Sequence, residues 1–454
     1  MMSVSSGHTI GPLKQRDMPG DPRNDAGGMG RALGKVRGLG WTLADQCVVS
    51  AANFLTIYLF ARNLTPADFG TFMLAYTGLL LLTGMQGALL VQPHNVLAAP
   101  LSPVQYRRFT GALMIMQVLL CAATGVAVGL AGWLVWRAWS APAGTVLVTL
   151  AIVGVPWLAQ EFVRRVLYTR RQARAAACND IVTYGLQLAG AVALVVYSKA
   201  PAPEAALAVL GGSSLIGAFM GLWQLRPHVQ FGRGTRVSLR RTWNKVWHFG
   251  KWLGGQNVLI WAGVQGHTWI LALILGPERV GYYRAVTHLT NVMNLVRQAA
   301  TNYLPPRGSV ALHADGLAGL REWVRNTWWM LLAALLPFCA VLAGFPGSVL
   351  ALAYGERYAG EELALILALS TLAQCVHFSK FPFDIGMLAL RESKTIFYVQ
   401  LIPAILLVTS GVALVWWLGI LGVALSALLM SSMLHVATWL AYKRVAHRYR
   451  PAMS

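Results

Sequence analysis

The sequence predicts an all-α integral membrane protein with about twelve transmembrane helices in two six-helix bundles. Three observations lead to this fold class: the composition, a series of long apolar runs and an internal duplication. Of the 454 residues, 56% are hydrophobic and only 12% are charged, and the mean hydropathy is +0.54. A soluble domain carries about twice that share of charged residues. Most of the chain is therefore predicted to lie in lipid.

Twelve apolar runs have the length of about 20 residues that a helix needs to cross the hydrocarbon core of a membrane. They cover residues 41–61, 71–92, 110–136, 144–162, 177–197, 204–224, 252–275, 282–304, 326–345, 362–381, 395–416 and 418–440. No run alternates with a period of two, and each is about twice as long as a membrane barrel strand. The spans are therefore predicted to be helices.

These spans predict five regions along the chain. They are a disordered, basic cytoplasmic tail (1–40), an N-terminal six-helix bundle (41–224), a basic cytoplasmic linker (225–250), a C-terminal six-helix bundle (251–442) and a second cytoplasmic tail (443–454). The first tail is polar and rich in Gly, with no apolar stretch of the kind that a cleavable secretory signal needs.

The positive charges indicate how the chain is oriented. If the first tail is cytoplasmic, all but six of the 37 Lys and Arg residues fall on the cytoplasmic side. The six exceptions are Arg62, Arg137, Lys199, Arg279, Arg284 and Arg357. Basic residues resist translocation and are attracted to anionic lipid on the cytoplasmic leaflet. Both termini are therefore predicted to be cytoplasmic.

The internal duplication appears in two similar turns. Residues 64–72 at the outer end of the first span match residues 275–283 at the outer end of the seventh, at a displacement of 211 positions. Both segments follow the pattern Leu, any residue, Pro, then Gly and an aromatic residue further on. Because each half has an even number of helices, the two bundles are predicted to be related by an axis along the membrane normal.

Several classes of function are excluded by the same observations. No segment between spans exceeds about 40 residues, which leaves no room for a soluble catalytic domain, and no phosphate-binding loop of the ATPase type is present. The net charge of +21 is explained by topology, so no nucleic-acid partner is expected. The sequence predicts no enzyme, no cofactor and no metal site.

Short motifs along the chain carry a family resemblance. They are Ala44, Asp45, Gln46 with Ser50, Asn53 and Phe54; Ala61 and Arg62; Phe69 and Gly70; Gln160, Glu161, Phe162, Val163, Arg164, Arg165 with Tyr168; Phe249 and Gly250; Gly276 and Pro277; Asn302, Tyr303, Leu304 and Pro305; and Tyr354, Gly355 with Tyr358. In this order the motifs resemble the polysaccharide flippases, of the O-antigen and exopolysaccharide type, in the multidrug, oligosaccharidyl-lipid and polysaccharide exporter superfamily.

The resemblance implies a V-shaped pair of bundles in a bacterial inner membrane. It implies that the chain translocates undecaprenyl-pyrophosphate-linked oligosaccharides by alternating access, beside a polysaccharide polymerase and export machinery. Two alternatives stay open: a cation-coupled multidrug antiporter of the same superfamily, and a membrane-embedded polymerase or ligase. Cationic drugs call for an acidic cavity, and such an enzyme calls for a large outer loop, so the sequence favours the flippase.

The eighth span is the predicted wall of a substrate cavity. Polar residues recur on one face at intervals of three and four: Arg284, His288, Asn291, Asn294, Arg297, Gln298 and Asn302. Such a stripe must face water or protein. Arg284 and Arg297 are the predicted contacts to phosphate or sugar. The alternatives are that the amides join helices and that Arg297 snorkels to the interface.

The N-terminal bundle offers a second set of candidates. Asp45 lies one turn inside the membrane and is a candidate site for a coupling ion, or else a partner of a neighbouring Arg. Arg164 and Arg165 follow Glu161 at helical spacing. They are candidates for capturing the pyrophosphate, with intrahelical ion pairing as the alternative. Lys380 and Asp384 are a predicted ion pair, and three buried histidines, His267, His377 and His435, are predicted to pack rather than relay protons.

Overall fold

The structure, a computed structural model, describes residues 45–98, 101–170, 172–198, 200–230, 235–390 and 392–449. The predicted tail 1–40 and the last residues of the predicted tail 443–454 lie outside these ranges. Within them the regular structure is helical, as the sequence predicts. The all-α prediction is confirmed.

Fifteen labels describe the helices in chain order. They are α1 (45–63), α2 (Pro66–Gln86, continued through a π-helical turn at Gly87–Val91 to Gln92–Leu97), α3 (Pro103–Ala138), α4 (Ala141–Thr169), α5 (Ala173–Tyr197), α6 (Pro203–Leu225), α7 (Thr235–Leu275), α8 (Pro277–Thr290), α9 (Asn294–Gly344), α10 (Pro346–Tyr354), α11 (Glu361–Ser379), α12 (Phe381–Ala389), α13 (Ser393–Val399), α14 (Leu401–Leu406) and α15 (Val412–Arg448). Short 3₁₀ or π turns follow α6, α8, α10 and α14.

Nine helical stretches in the described ranges are long and apolar enough to cross a membrane. Two helices carry a break: α9 at Gly316, where φ is 63°, and α15 at Gly419, where φ is 60°. Gly419 lies within a few residues of the predicted boundary between the eleventh and twelfth spans. A count of about twelve spans agrees with these breaks and stays a prediction.

Proline and capping residues determine where several spans begin. Pro66, Pro103 and Pro277 each occupy the first turn of a helix, where the missing N–H removes no helical hydrogen bond. Thr65 Oγ1 accepts a hydrogen bond from the Asp68 amide at 3.1 Å. A cap of this kind stabilises a helix by about 1 kcal/mol. The sharp turns between spans are therefore encoded locally.

The two duplicated turns meet in space. A Cβ atom on Gly70 would overlap the carbonyl oxygen of Pro277, and a Cβ atom on Gly281 would overlap the carbonyl oxygen of Pro66. These four positions form two equivalent pairs under the displacement of 211 residues, so the contact is reciprocal. Only glycine lets the first turns of α2 and α8 approach so closely.

The hairpin end, defined by the turns at residues 64–65 and 276, is closed by packing between the halves. Phe60 and Phe69 share one buried core cluster with Tyr354 and Tyr358. The Tyr358 hydroxyl lies 3.3 Å from the carbonyl oxygen of Ala61 and donates to it. Burial raises the pKa of Tyr358 to about 12, so the hydroxyl keeps the proton that it donates.

At the opposite end the two halves keep separate cores. One cluster of buried residues, which includes Leu90 and Val163, draws only on α2 to α7 and the segments between them. Another, which includes Leu320 and Tyr442, draws only on α9 and the helices that follow it. The molecule is thus joined across its halves at the hairpin end and divided at the opposite end.

Helix α7 packs on both halves. Val246, inside the predicted linker 225–250, is buried in the N-terminal core cluster, and a Cβ atom on Gly250 would lie 2.9 Å from the carbonyl oxygen of Ala88. Nearer the other end of the same helix, His267 Nε2 lies 2.9 Å from the hydroxyl of Ser426. Residues 235–250 of the predicted linker are therefore helical and continuous with the next span. The boundaries of the five regions stay predictions.

Candidate functional site

Phe54 of α1 contacts His288 of α8 and so joins the two halves. His288 Nε2 donates to the carbonyl oxygen of Phe54 at 3.0 Å, and the two rings stack with centroids 4.6 Å apart. Further from the hairpin end, no hydrogen bond or ring contact between described residues joins 45–53 of α1 to Asn291 or Asn294. Beyond this contact Asn291 and Arg297 are exposed and the two halves keep separate cores, so an opening begins there between α1 and the α8–α9 segment.

The C-terminal wall carries a polar ladder, which consists of His288, Asn291, Asn294 and Arg297. Asn291 Nδ2 donates to His288 Nδ1 at 3.3 Å, and Asn294 Nδ2 donates to Asn291 Oδ1 at 3.0 Å. Arg297 Nε donates to Asn294 Oδ1 at 3.1 Å. Asn291 and Arg297 are exposed. The structure thus places four of the predicted cavity residues in one hydrogen-bonded row. The side chain of Gln298 is not among those that the structure describes.

Arg284 lies on the same helix, one turn nearer the hairpin end. Its Nη2 donates to Gln265 Oε1 of α7 at 2.5 Å, while its Nε is buried and has no hydrogen-bond partner. No carboxylate in the described ranges forms an ion pair with Arg284. A guanidinium removed from water costs several kcal/mol unless an anion compensates it. Arg284 is half-buried and lies one turn nearer the hairpin end than the Phe54–His288 contact, and it has no acidic partner in the described ranges.

The N-terminal wall holds a carboxylate–arginine cluster, which consists of Asp45, Glu161, Arg164 and Asp180. Arg164 Nε lies 2.5 Å from Asp180 Oδ2, and its two terminal nitrogens lie 3.4 Å from Glu161 Oε2 and 3.7 Å from Asp45 Oδ2. All four residues are buried. The structure therefore gives Arg164 the intrahelical pairing that was the alternative to substrate capture, together with two further partners from α1 and α5.

Asp45 is paired with Arg164, as one of its two predicted alternatives requires. Its carboxylate also accepts a hydrogen bond from the Tyr168 hydroxyl, while Asp45 Oδ1 is buried without a partner. With Arg165, which lies 2.6 Å from Glu161, the site holds three carboxylates and two guanidinium groups. One carboxylate is in excess, so a further positive charge would be stabilised here.

The sequence matches the family model described as polysaccharide biosynthesis protein over residues 36–302, more than half of the chain. The chain belongs to this family. No sequence among the curated proteins matches it.

Solved structures with the same fold are transporters. The chain is similar to the lipid II flippase MurJ in an inward closed conformation, with 11% identity over 89% of this chain and 90% of that one and a TM-score of 0.70. It is also similar to a multidrug resistance MATE family transporter of the MOP superfamily in an inward-facing conformation, with 12% identity, coverage of 88% and 95% and a TM-score of 0.68.

The chain is also similar to an outward-facing conformation of a multidrug resistance MATE family transporter of the MOP superfamily, with 13% identity, coverage of 90% and 93% and a TM-score of 0.56. These likenesses show that the chain shares the fold of these transporters, and the nine long apolar stretches in its described ranges agree with a multi-pass membrane protein.

Two residues of the candidate site were not predicted from the sequence. Asp180 makes the shortest contact to Arg164, and Gln265 makes the shortest contact to Arg284. Asp180 is an acid inside an apolar run, and intramembrane acids are functional candidates by default. That signal was present in the sequence. Gln265 gave no such signal, because its role depends on the packing of α7 against α8.

The other residues singled out in the sequence form contacts within the C-terminal half. Lys380 Nζ lies 2.5 Å from Asp384 Oδ2, as predicted for this pair. His435 Nδ1 lies 2.8 Å from the Ser379 hydroxyl, and His267 is bonded to Ser426. These two histidines therefore have packing partners within the C-terminal half.

Proposed function

We propose that this transporter is a flippase for undecaprenyl-pyrophosphate-linked oligosaccharide repeat units. It moves them across the bacterial inner membrane for surface or exopolysaccharide synthesis, by alternating access. The observation that carries this proposal is Arg284, a membrane-embedded guanidinium with no carboxylate partner in the described ranges. A pyrophosphate supplies the anion that this side chain lacks.

The polar ladder supports a role in guiding the hydrated sugar. Its amides and Arg297 continue from His288 towards the open end, so they offer donors and acceptors along the path of the head group. We assign Arg284 and Arg297 to phosphate or sugar, and His288, Asn291, Asn294 and Gln298 to the cavity wall. The opening between α1 and α8 lets the polyprenyl tail stay in the bilayer.

The sign of the charges argues against a multidrug antiporter. A carrier of cationic drugs needs acidic side chains that are exposed in the cavity, whereas the three acids of the carboxylate–arginine cluster are buried around Arg164. The uncompensated charge on the opposite wall is positive. The anionic lipid-linked sugar fits this distribution better.

The excess carboxylate of the N-terminal wall is the proposed coupling site. Asp45, with one oxygen unpartnered, is the candidate for holding a proton or another monovalent cation. Arg165 has a side chain that is 52% exposed. It is the member of the Arg164–Arg165 pair that remains available to an incoming pyrophosphate, while Arg164 organises the acids. The distribution of basic residues supports cytoplasmic termini, so the substrate would enter from the cytoplasmic leaflet.

The test is transport of a fluorescent undecaprenyl-pyrophosphate oligosaccharide by purified protein in liposomes. Arg284→Ala should lower the rate at least about ten-fold, because a charge-assisted contact of about 1.5–3 kcal/mol is lost. Arg297→Ala should also impair transport. The control is Arg279→Ala, which removes an exposed arginine at the hairpin turn. Wild-type rates for both variants, or efflux of cationic dyes in place of lipid transport, would contradict the proposal.

A further inference from the structure

A cleft in the C-terminal half lies apart from the opening between the halves. It has a volume of about 670 Å³ and separates residues 390–402, which include α13, from the last turns of α15. Its apolar walls include Val399, Ile402 and Leu440, and its rim includes Arg444 and Arg448. Every lining residue falls between 390 and 449. The cleft therefore belongs to one half alone.

Arg444 and Arg448 stand one helical turn apart, and both are exposed. No ion pair between described residues involves either of them. The one acidic lining residue is Glu392, and its Oε2 already accepts a hydrogen bond from the Thr395 hydroxyl at 3.0 Å. Two guanidinium groups at the rim of an apolar cleft form a pattern that suits a phosphate with attached hydrocarbon.

The depth of the cleft in the membrane is marked by its neighbours. Lys443 Nζ lies 3.6 Å from the ring centroid of Trp439, an exposed tryptophan one turn before it. Tryptophan and lysine in this arrangement are typical of the membrane–water interface. The arginines thus lie at headgroup level, while Leu440 and Ile402 lie at the level of the acyl chains.

Helix α15 uses its other face for the protein core. Tyr442 and Ala446 are buried in a cluster with Leu320 and Val324 of α9, whereas Arg444 and Arg448 point away from it. The cleft therefore opens at the perimeter of the bundle, where bilayer lipid has direct access.

We propose that this cleft binds an anionic phospholipid of the cytoplasmic leaflet. Its phosphate would lie between Arg444 and Arg448, and an acyl chain would lie along Val399 and Leu440. Basic pockets between transmembrane helices on the cytoplasmic side recognise such headgroups. No hydrogen bond or ion pair between described residues joins the two walls of the cleft. The bound lipid thus braces α13 and α14 against α15.

The experiment is native mass spectrometry of the full chain with limiting diphosphatidylglycerol, phosphatidylglycerol or phosphatidylethanolamine. The wild-type protein should retain one anionic phospholipid in preference to the zwitterionic one. Arg444→Gln with Arg448→Gln should weaken that binding about thirty-fold, since each basic residue near the surface adds about 1 kcal/mol. Ala437→Trp, which fills the cleft without changing its charge, should have a similar effect.

The matched control is Arg240→Gln with Arg241→Gln, which removes two exposed arginines from α7 on the same predicted side. This control should bind lipid like the wild-type protein. Equal retention by the cleft variants and the control would overturn the proposal, and so would equal retention of anionic and zwitterionic lipid. Displacement by undecaprenyl phosphate but not by phospholipid would assign the cleft to the carrier lipid and would also overturn it. Inorganic phosphate should not compete, because it lacks the acyl chains.

Discussion

Arg164 organises the acids of the N-terminal wall. Its shortest contact is to Asp180, whose side chain is fully buried, and the contacts to Glu161 and Asp45 are longer. A buried ion pair adds little net stability while intact, but removal of one partner leaves a charge uncompensated. The loss of unfolding free energy on substitution should therefore be larger for a shorter and more deeply buried ion pair.

Asp180→Asn should lower the free energy of unfolding by about 3 kcal/mol, because Arg164 loses its closest buried carboxylate while the side-chain volume is kept. The measurement is thermal unfolding of the detergent-solubilised protein. The control is Glu322→Gln, which breaks a pair 3.7 Å long whose two side chains are 66% and 67% exposed. That change should cost less than about 1 kcal/mol. Equal shifts for the two variants would show that Asp180 is not part of a buried pair.

Asp45→Asn should uncouple transport from its driving ion. The substitution removes the excess negative charge of the cluster, so a coupling proton or cation is no longer stabilised there. In liposomes the variant should still exchange lipid-linked oligosaccharide between leaflets, but an imposed pH or sodium gradient should no longer drive its accumulation. Gradient-driven accumulation at the wild-type level would remove Asp45 from the coupling step.

At the scale of elements, the reciprocal contact between α2 and α8 depends on two glycines. Gly281→Ala should destabilise the protein by about 1–3 kcal/mol, because the new methyl group would overlap the carbonyl oxygen of Pro66. Gly255→Ala is the matched control, since a Cβ atom there meets no atom within 4 Å. In that open helical position the change should be neutral or slightly stabilising. Thermal unfolding of the two variants measures the difference, and a stability of Gly281→Ala equal to that of the control would contradict the close approach.

Much of the helical architecture could be predicted from the sequence, because apolar runs and proline turns are local signals. The second to sixth predicted spans lie within α2 to α6, the described part of the first lies within α1, and the break at Gly419 falls near the predicted boundary between spans. The extension of α7 back to Thr235 could not be predicted, because it depends on packing of Val246 against the other half. The candidate site was predicted in part. The polar face of the eighth span was predicted from the three- and four-residue spacing of its polar residues. The contacts of Arg164 with Asp180 and of Arg284 with Gln265 could not be predicted, because they join different helices.

At the scale of the whole molecule, the closed hairpin end and the divided opposite end predict which residues water can reach. The test uses a variant whose five native cysteines are replaced. Asn294→Cys should react with a membrane-impermeant maleimide from the side opposite the hairpins. Tyr354→Cys should not react from the hairpin side, because that position is buried between the halves. Arg279→Cys, an exposed position at the hairpin turn, is the control for access from that side.

Reaction of Tyr354→Cys at the rate of Arg279→Cys would contradict the closed hairpin end. Protection of Asn294→Cys from both sides would contradict an aqueous opening and, with it, the role of the polar ladder. Saturation with the lipid-linked oligosaccharide should slow the labelling of Asn294→Cys if the sugar occupies the opening.

Helix α7 would be strained by the proposed alternating access. It is fastened to the N-terminal half through Val246 and Gly250 and to the C-terminal half through His267. A straight, rigid helix cannot keep both sets of contacts if the two halves rotate away from each other. Under the proposed alternating access, each cycle would either bend this helix between those contacts or separate one of its faces from α2. The Gly-Gly step at 254–255 lies between those contacts and has the least side-chain bulk to resist flexure. Helix α7, which connects the halves along the chain, would then also store elastic energy when they move apart.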